Sequence, residues 1–207
     1  MRTSARVLWS SYMLCSAIAL GGCAQGSNNN NNEENCAVSY ASITAEAELG
    51  LNDTVLGGDE LAQSFKVSEN KTITKIQLLL QKVGMTSGSF TGYEVILQLV
   101  NDSAGKPTGS AVTSETPVLD VSAIGSTSGF YTFTFASNVS LTAGTLYWIR
   151  VRGTYPASKK DLIKWYAHNG SSGEYSNGQA LYETITSNDW QSLVIGDLRD
   201  LLFKIGC

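Results

Sequence analysis

Leu141-Thr-Ala-Gly-Thr-Leu-Tyr-Trp-Ile-Arg-Val-Arg152 is the stretch on which the fold turns. Thr142-Ala143-Gly144 predicts a turn that launches a strand whose side chains alternate between two faces. Leu146, Trp148 and Arg150 point one way, and Tyr147, Ile149 and Val151 the other. Both faces are apolar over the first half, which places this strand inside a sandwich rather than on its edge.

Short alternating segments lie on both sides of it. Leu61 to Val67 alternates, and Thr72 to Lys82 sets Ile76, Leu78 and Leu80 on one face. Tyr93 to Val100 turns Tyr93, Val95, Leu97 and Leu99 toward a core, and Phe130 to Phe135 alternates cleanly. Val112 to Val121 is extended but interrupted by Pro117, which suits an edge. Leu162 to His168 directs Ile163, Trp165 and Ala167 inward and His168 outward; Gln179 to Thr184 and Leu198 to Ile205 follow. Asn101 to Gly109 is a loop, and Ser42 to Leu49 fits a short helix or a poor strand equally well. Short strands separated by polar turns make the fold class all-β, an antiparallel β-sandwich.

Several of these pieces resemble the choice-of-anchor R domain of bacterial surface proteins: Ala62-Gln-Ser-Phe65, Ile73-Thr-Lys-Ile76, Lys106-Pro-Thr-Gly109, Leu141 to Trp148, Asp197-Leu198 and Leu202-Phe203-Lys204. The resemblance spans about residues 60 to 206, and the Leu-Thr-Ala-Gly-Thr-x-Tyr-Trp run is its most specific part. It implies a jelly-roll or galactose-binding-like sandwich anchored to a surface. It transfers no catalytic residue, because the family has no agreed activity. Leu198-Arg-Asp-Leu201 departs from the family by lengthening the spacing before the closing strand.

The N-terminus explains how such a domain would be anchored. Met1 to Arg6 carries two arginines, and Val7 to Leu20 is an apolar run shorter than the roughly 20 residues that span a bilayer. This is the pattern of a secretory signal. Leu20-Gly21-Gly22-Cys23 resembles the lipobox of bacterial lipoproteins, which implies that residues 1–22 are removed and Cys23 is lipidated. Ala24 and Gln25 follow with no Asp beside the lipidated residue, and by the same resemblance this favours the outer membrane or cell surface. Residues 23–35, with Asn28 to Asn32 at their centre, contain nothing that can enter a core and predict a flexible tether. Residues 36–207 form the single domain. Cys36 and Cys207 bracket it, and in an exported protein they are expected to pair, the alternative being two free thiols.

Composition narrows the function. The chain has net charge −4, and removing Arg2 and Arg6 with the signal gives −4 − 2 = −6. An acidic domain with scattered lysines excludes a nucleic-acid partner, which wants a basic stripe. His168 is the sole histidine, and no Gly-x-Ser-x-Gly elbow occurs, so no catalytic residue is assigned and the chain is read as a non-enzyme. The clustered acids Asp53, Asp59 and Glu60, and Asp197 with Asp200, are solvated loop groups or cation ligands. Asp197 and Asp200, ahead of the closing strand, are candidates for a structural calcium; no other cofactor is expected. The remaining signal is aromatic. Tyr166, His168, Tyr175, Tyr182 and Trp190 crowd the last third among Asn and Gln side chains, as a site for sugar rings and hydroxyls requires. The domain is thus expected to be a binding module for a polysaccharide, or else a partner of another envelope protein with its aromatics in the core.

Overall fold

The computed structural model describes residues 38–40, 48–51, 59–83, 92–154, 163–169, 178–184, 189–193 and 198–206. These form two antiparallel sheets that enclose one apolar core, a β-sandwich. Six strands make the first sheet, in the order β11 (Asp189–Ser192), β10 (Ala180–Thr184), β3 (Asp59–Phe65), β8 (Tyr147–Gly153), β5 (Glu94–Asn101) and β6 (Val118–Asp120). The second contains β1 (Val38–Tyr40), β2 (Glu48–Leu51), β4 (Lys71–Lys82), β7 (Gly129–Leu141), β9 (Ile163–Asn169), β12 (Leu198–Leu201) and β13 (Phe203–Ile205).

The quoted stretch occupies the expected place. β8 lies between β3 and β5, paired along its whole length. Tyr147, Ile149 and Val151 enter the core between the sheets, while Trp148 is buried on the other face. The turn before it closes with Thr145 N donating to Thr142 O, and Gly144 has φ +72°. That positive φ at the third turn position is the requirement of a type II turn, met by glycine without a steric clash. Gly144 N also donates to Val67 O, and Thr142 N to the Tyr147 hydroxyl, so the turn is pinned to its own strand and to the end of β3.

β4 is the spine of the second sheet. It buries Ile76, Leu78 and Leu80 on one face, as the alternation predicts, and also Ile73, whose parity is opposite. A bulge against β7 reconciles the two: the register passes from Ile73↔Val139 to Lys75↔Thr134, so the long excursion on β7 lets both parities reach the core. β7 therefore runs well beyond Phe135, and Val139 and Leu141 are buried with Phe133 and Phe135.

The closing segment is two strands rather than one. β9 pairs with β4 through Ile163, Lys164 and Trp165, then diverges, and residues 198–205 fill the fork between them. Leu202 marks the crossing. Its N–H donates to Tyr166 O on β9, while its carbonyl accepts from Leu79 N on β4 and from the Trp165 indole at 2.9 Å. One residue spent on these cross-links breaks the strand. The register also shifts between Leu198 and Asp200.

Of the ambiguous N-terminal part, Val38–Tyr40 and Glu48–Leu51 are strands, pairing with β13 and β9. Cys23, Cys36, Tyr175, Asp197 and Cys207 lie outside the described residues, as do the signal segment and the tether.

Candidate functional site

The predicted aromatic residues do not gather at one place. Tyr166 is on β9 of the second sheet, half-buried, its hydroxyl donating to Gln81 Oε1. Tyr182 and Trp190 lie on neighbouring strands of the first sheet but on opposite faces. Tyr182 packs against the main core with its hydroxyl donating to Gln191 Oε1 at 2.8 Å. Trp190, 5% exposed, sits on the outer face. The backbone of His168 is on β9 opposite Asp200; its side chain is outside the described part, as is all of Tyr175.

Asp200 is a strand residue, not a loop carboxylate. Asp200 is in β12 and 1% exposed, with Oδ1 accepting from Gln63 Nε2 at 3.1 Å. A calcium ligand needs its oxygens turned toward an ion among several others, whereas this one is turned into the core. Among the described residues no group of three or more His, Cys, Asp or Glu could hold a metal ion.

A different set of residues forms a cleft. Sheet alternation sends Glu60, Ala62 and Ser64 of β3 outward, together with Trp148, Arg150 and Arg152 of β8, Ile96, Gln98 and Val100 of β5, and Leu181 and Glu183 of β10. Outer faces of sandwiches are usually polar and solvated. This one carries a second apolar cluster, Ala62, Val100, Trp148, Leu181 and Trp190, all buried. Beside that cluster is a cleft of about 240 Å³ lined by Glu60, Ile96, Gln98, Thr116, Arg150 and Arg152.

The apolar cluster has a lid of its own. Trp148 Nε1 donates to Asp102 Oδ1 at 2.8 Å, and Asp102 Oδ2 accepts from Gly105 N at 3.1 Å. The loop after β5 makes a two-residue hairpin at Ala104-Gly105, both with positive φ, closed by reciprocal bonds between Ser103 and Lys106. Lys106 Nζ then reaches Asp189 of β11 at 2.6 Å. Gly109 allows this loop to lie down: a Cβ there would fall 2.1 Å from Asn101 O.

Charges in the cleft are partly compensated. Arg150 Nε donates to Glu60 Oε2, its Nη2 is 3.9 Å from Glu183, and its guanidinium lies 5.6 Å from the centre of the Trp190 ring. An arginine held by a carboxylate and an indole is fixed in direction. Glu183 stands directly across from Glu60 in the β10–β3 ladder. Burial, and next the Glu60 charge, push the Glu183 carboxyl above the usual range, and Arg150 only partly opposes them. Arg152, two residues along β8 from Arg150, is exposed and joins no ion pair among the described residues.

This cleft draws on residues that the aromatic pattern did not select. Its signal was Trp148-x-Arg150-x-Arg152: two arginines on one face of a central, otherwise apolar strand. Glu60 appeared only as one member of an acidic cluster, because its partner Arg150 is 90 positions away. A scan against protein-family models finds no match for the chain, and a search of curated proteins finds none either.

Proposed function

We propose that this chain is a lipid-anchored, non-catalytic binding protein of the bacterial envelope that presents the outer face of its six-stranded sheet to a glycan. Cys23 is the proposed lipidation site, the Asn-rich segment is the tether, and the outer membrane or cell surface is the proposed location. The observation that carries the binding reading is the cleft on β3, β8 and β5. Its polar groups other than Thr116 stand on central strands rather than on loops, and Arg150 is oriented by Glu60 and Trp190 before any ligand arrives. Such pre-organisation is what a binding site needs. A disulfide between Cys36 and Cys207 belongs to the same proposal, supported by the pairing of β1 with β13, which ends two residues from each cysteine.

A second reading, an envelope protein that binds another protein, is favoured by the burial of Trp165 and Trp190 and the partial burial of Tyr166. These rings are then structural, and no open aromatic platform exists among the described residues.

Tryptophan fluorescence of the purified lipoprotein, titrated with mixed polysaccharides with and without calcium, separates the two. A saturable shift that Gln98→Ala weakens supports glycan binding in the cleft, since Trp190 contacts its wall. An unchanged buried-indole spectrum throughout favours the protein-partner reading. Calcium dependence of the shift would support Asp197 as a ligand.

A further inference from the structure

We propose that the cleft on the outer face of β3, β8 and β5 takes an acidic saccharide, with a sugar carboxylate received by the guanidinium of Arg152 and neighbouring hydroxyls by Gln98, Thr116 and the free edge of Glu60. This rests on the glycan-binding reading above and narrows its ligand class.

Charge decides the ligand class. Three ionised groups line the cleft: Glu60, Arg150 and Arg152. Glu60 and Arg150 are in contact and answer each other, with Glu183 further balancing Arg150 from the side. Among the described residues Arg152 is the cleft charge that joins no ion pair. Its neighbour Val151 pairs with Leu61 of β3, the residue after Glu60, but the Glu60 oxygen in contact is given to Arg150. A neutral ligand seated in the cleft would take water from Arg152 without returning a counter-charge, and desolvating an unanswered charge is costly. A carboxylate returns that charge, and its two oxygens match the guanidinium fork.

The rest of the lining fits a sugar rather than a simple acid. Gln98 offers both a donor and an acceptor, Thr116 a hydroxyl, and Ile96 an apolar patch suited to C–H groups. Gln98 lies across from Arg150, and Ile96 across from Arg152, so the amide and the apolar contact flank the two guanidinium groups on one side. A volume of about 240 Å³ suits one or two sugar units rather than a long chain lying flat.

The test is calorimetric titration of the purified lipoprotein in detergent with three probes of equal length: an oligogalacturonate, its neutral galactose counterpart and a sulfated galactose oligomer. The expected result is tightest binding of the oligogalacturonate, weakening with added salt. Arg152→Gln should lower that affinity by about ten- to a hundredfold, the worth of a charged hydrogen-bonded pair. Arg152→Lys, which keeps charge but not the fork, should recover only part of it. Arg152 is exposed, so an unchanged melting temperature is expected for both variants and separates a binding defect from a folding one. Equal binding of neutral and acidic oligomers, indifferent to Arg152→Gln, would overturn the acidic class and leave the glycan reading standing. Preference for the sulfated oligomer with full activity in Arg152→Lys would overturn the carboxylate. Absence of heat with all three would overturn both.

Discussion

Gln63 and Asp200 meet inside the core, amide Nε2 to carboxylate Oδ1 at 3.1 Å, although they belong to opposite sheets. Gln63 is on β3 and wholly buried, and it uses both ends of its amide. Nε2 also donates to Ser64 O at 3.0 Å, while Oε1 accepts from Leu201 N at 2.7 Å. One side chain thus ties the strand that carries Glu60 to the closing segment. A buried polar group is tolerable when its partners are supplied, and removing one member leaves the others short. Gln63→Leu keeps the volume but deprives Leu201 N–H and Asp200 Oδ1 of a partner. It should destabilise the domain by about 2–4 kcal/mol, seen as a lower urea midpoint with unchanged slope. Gln63→Glu should cost at least as much at neutral pH, because it sets a second carboxyl against Asp200 inside the core. A Gln63→Leu domain as stable as the parent would show that the cross-sheet tie adds nothing.

The hairpin that covers Trp148 offers an opposite case. Ala104 has φ +55° followed by Gly105 at +79°, the geometry of a two-residue turn in which both central positions are left-handed. Alanine is strained there by its Cβ, whereas asparagine and glycine are at ease. Ala104→Asn should therefore raise stability by about 0.5–1 kcal/mol, read as an increase in melting temperature. Gly109→Ala, four residues past Gly105, should do the reverse by about 1–3 kcal/mol, since its Cβ would collide with the Asn101 carbonyl. Loss of Trp148 from its apolar contacts should accompany it as a red shift in emission.

Much of the sandwich is written in plain alternation. Trp165, Ile163 and Ala167 are fully buried as their parity requires, and β8 is central because both its faces are apolar. Alternation fails where the backbone slips: Ile73 and Ile76 share a core only through the bulge at Thr74, which no local pattern announces. It fails again at Leu202, where an unbroken apolar run hides a crossing imposed by the fork between β4 and β9. β11 was invisible because Asp189-Trp-Gln-Ser192 holds a single apolar residue, and its strand state comes from pairing with β10. The candidate site was legible only in part. Crowding of aromatics in the last third is real in sequence, but Tyr182 and Trp190 alternate to opposite faces, and Tyr166 joins the other sheet. The cleft depends instead on strands brought together from residues 60, 98 and 150, a long-range pairing that spacing does not encode.

Glu183 gives the cleft a pH signature. Its carboxyl is raised by burial and by facing Glu60, so between the ordinary carboxylate value and the raised one the folded state holds more proton than the unfolded state. Stability from this group is therefore gained as pH falls through that window and lost as pH rises through it. Glu183→Gln should melt higher than the parent at neutral pH, and the two curves should converge toward pH 4.5. Half-buried Glu115, lowered mainly by its hydrogen bond to Ser137, has the opposite sign, its contribution being lost on acidification. Glu115→Gln should accordingly differ most from the parent at neutral pH, in the destabilising direction. Convergence of Glu183→Gln with the parent at high rather than low pH would contradict the assignment.

The proposed bond between Cys36 and Cys207 can be argued from the edge of the second sheet. Val38 pairs with Ile205, Ser39 with Lys204 and Tyr40 with Phe203, so the first and last described strands run side by side. β13 is held in turn by β4, where Phe203 faces Leu78 and Ile205 faces Ile76, all buried. Among the described residues three backbone pairs hold β1 to this edge, too few to secure it on their own. A covalent link between residues 36 and 207 would close nearly the whole domain and restrict the unfolded chain by about 5 kcal/mol on the chain-entropy account. Alkylation of the denatured, unreduced protein followed by mass spectrometry should label neither residue, and Cys36→Ser should free one thiol at Cys207. The variant should melt lower than the parent, and reductant should lower the parent to meet it. Two labelled thiols in the untreated protein would mean that β1 is held by its backbone pairing alone.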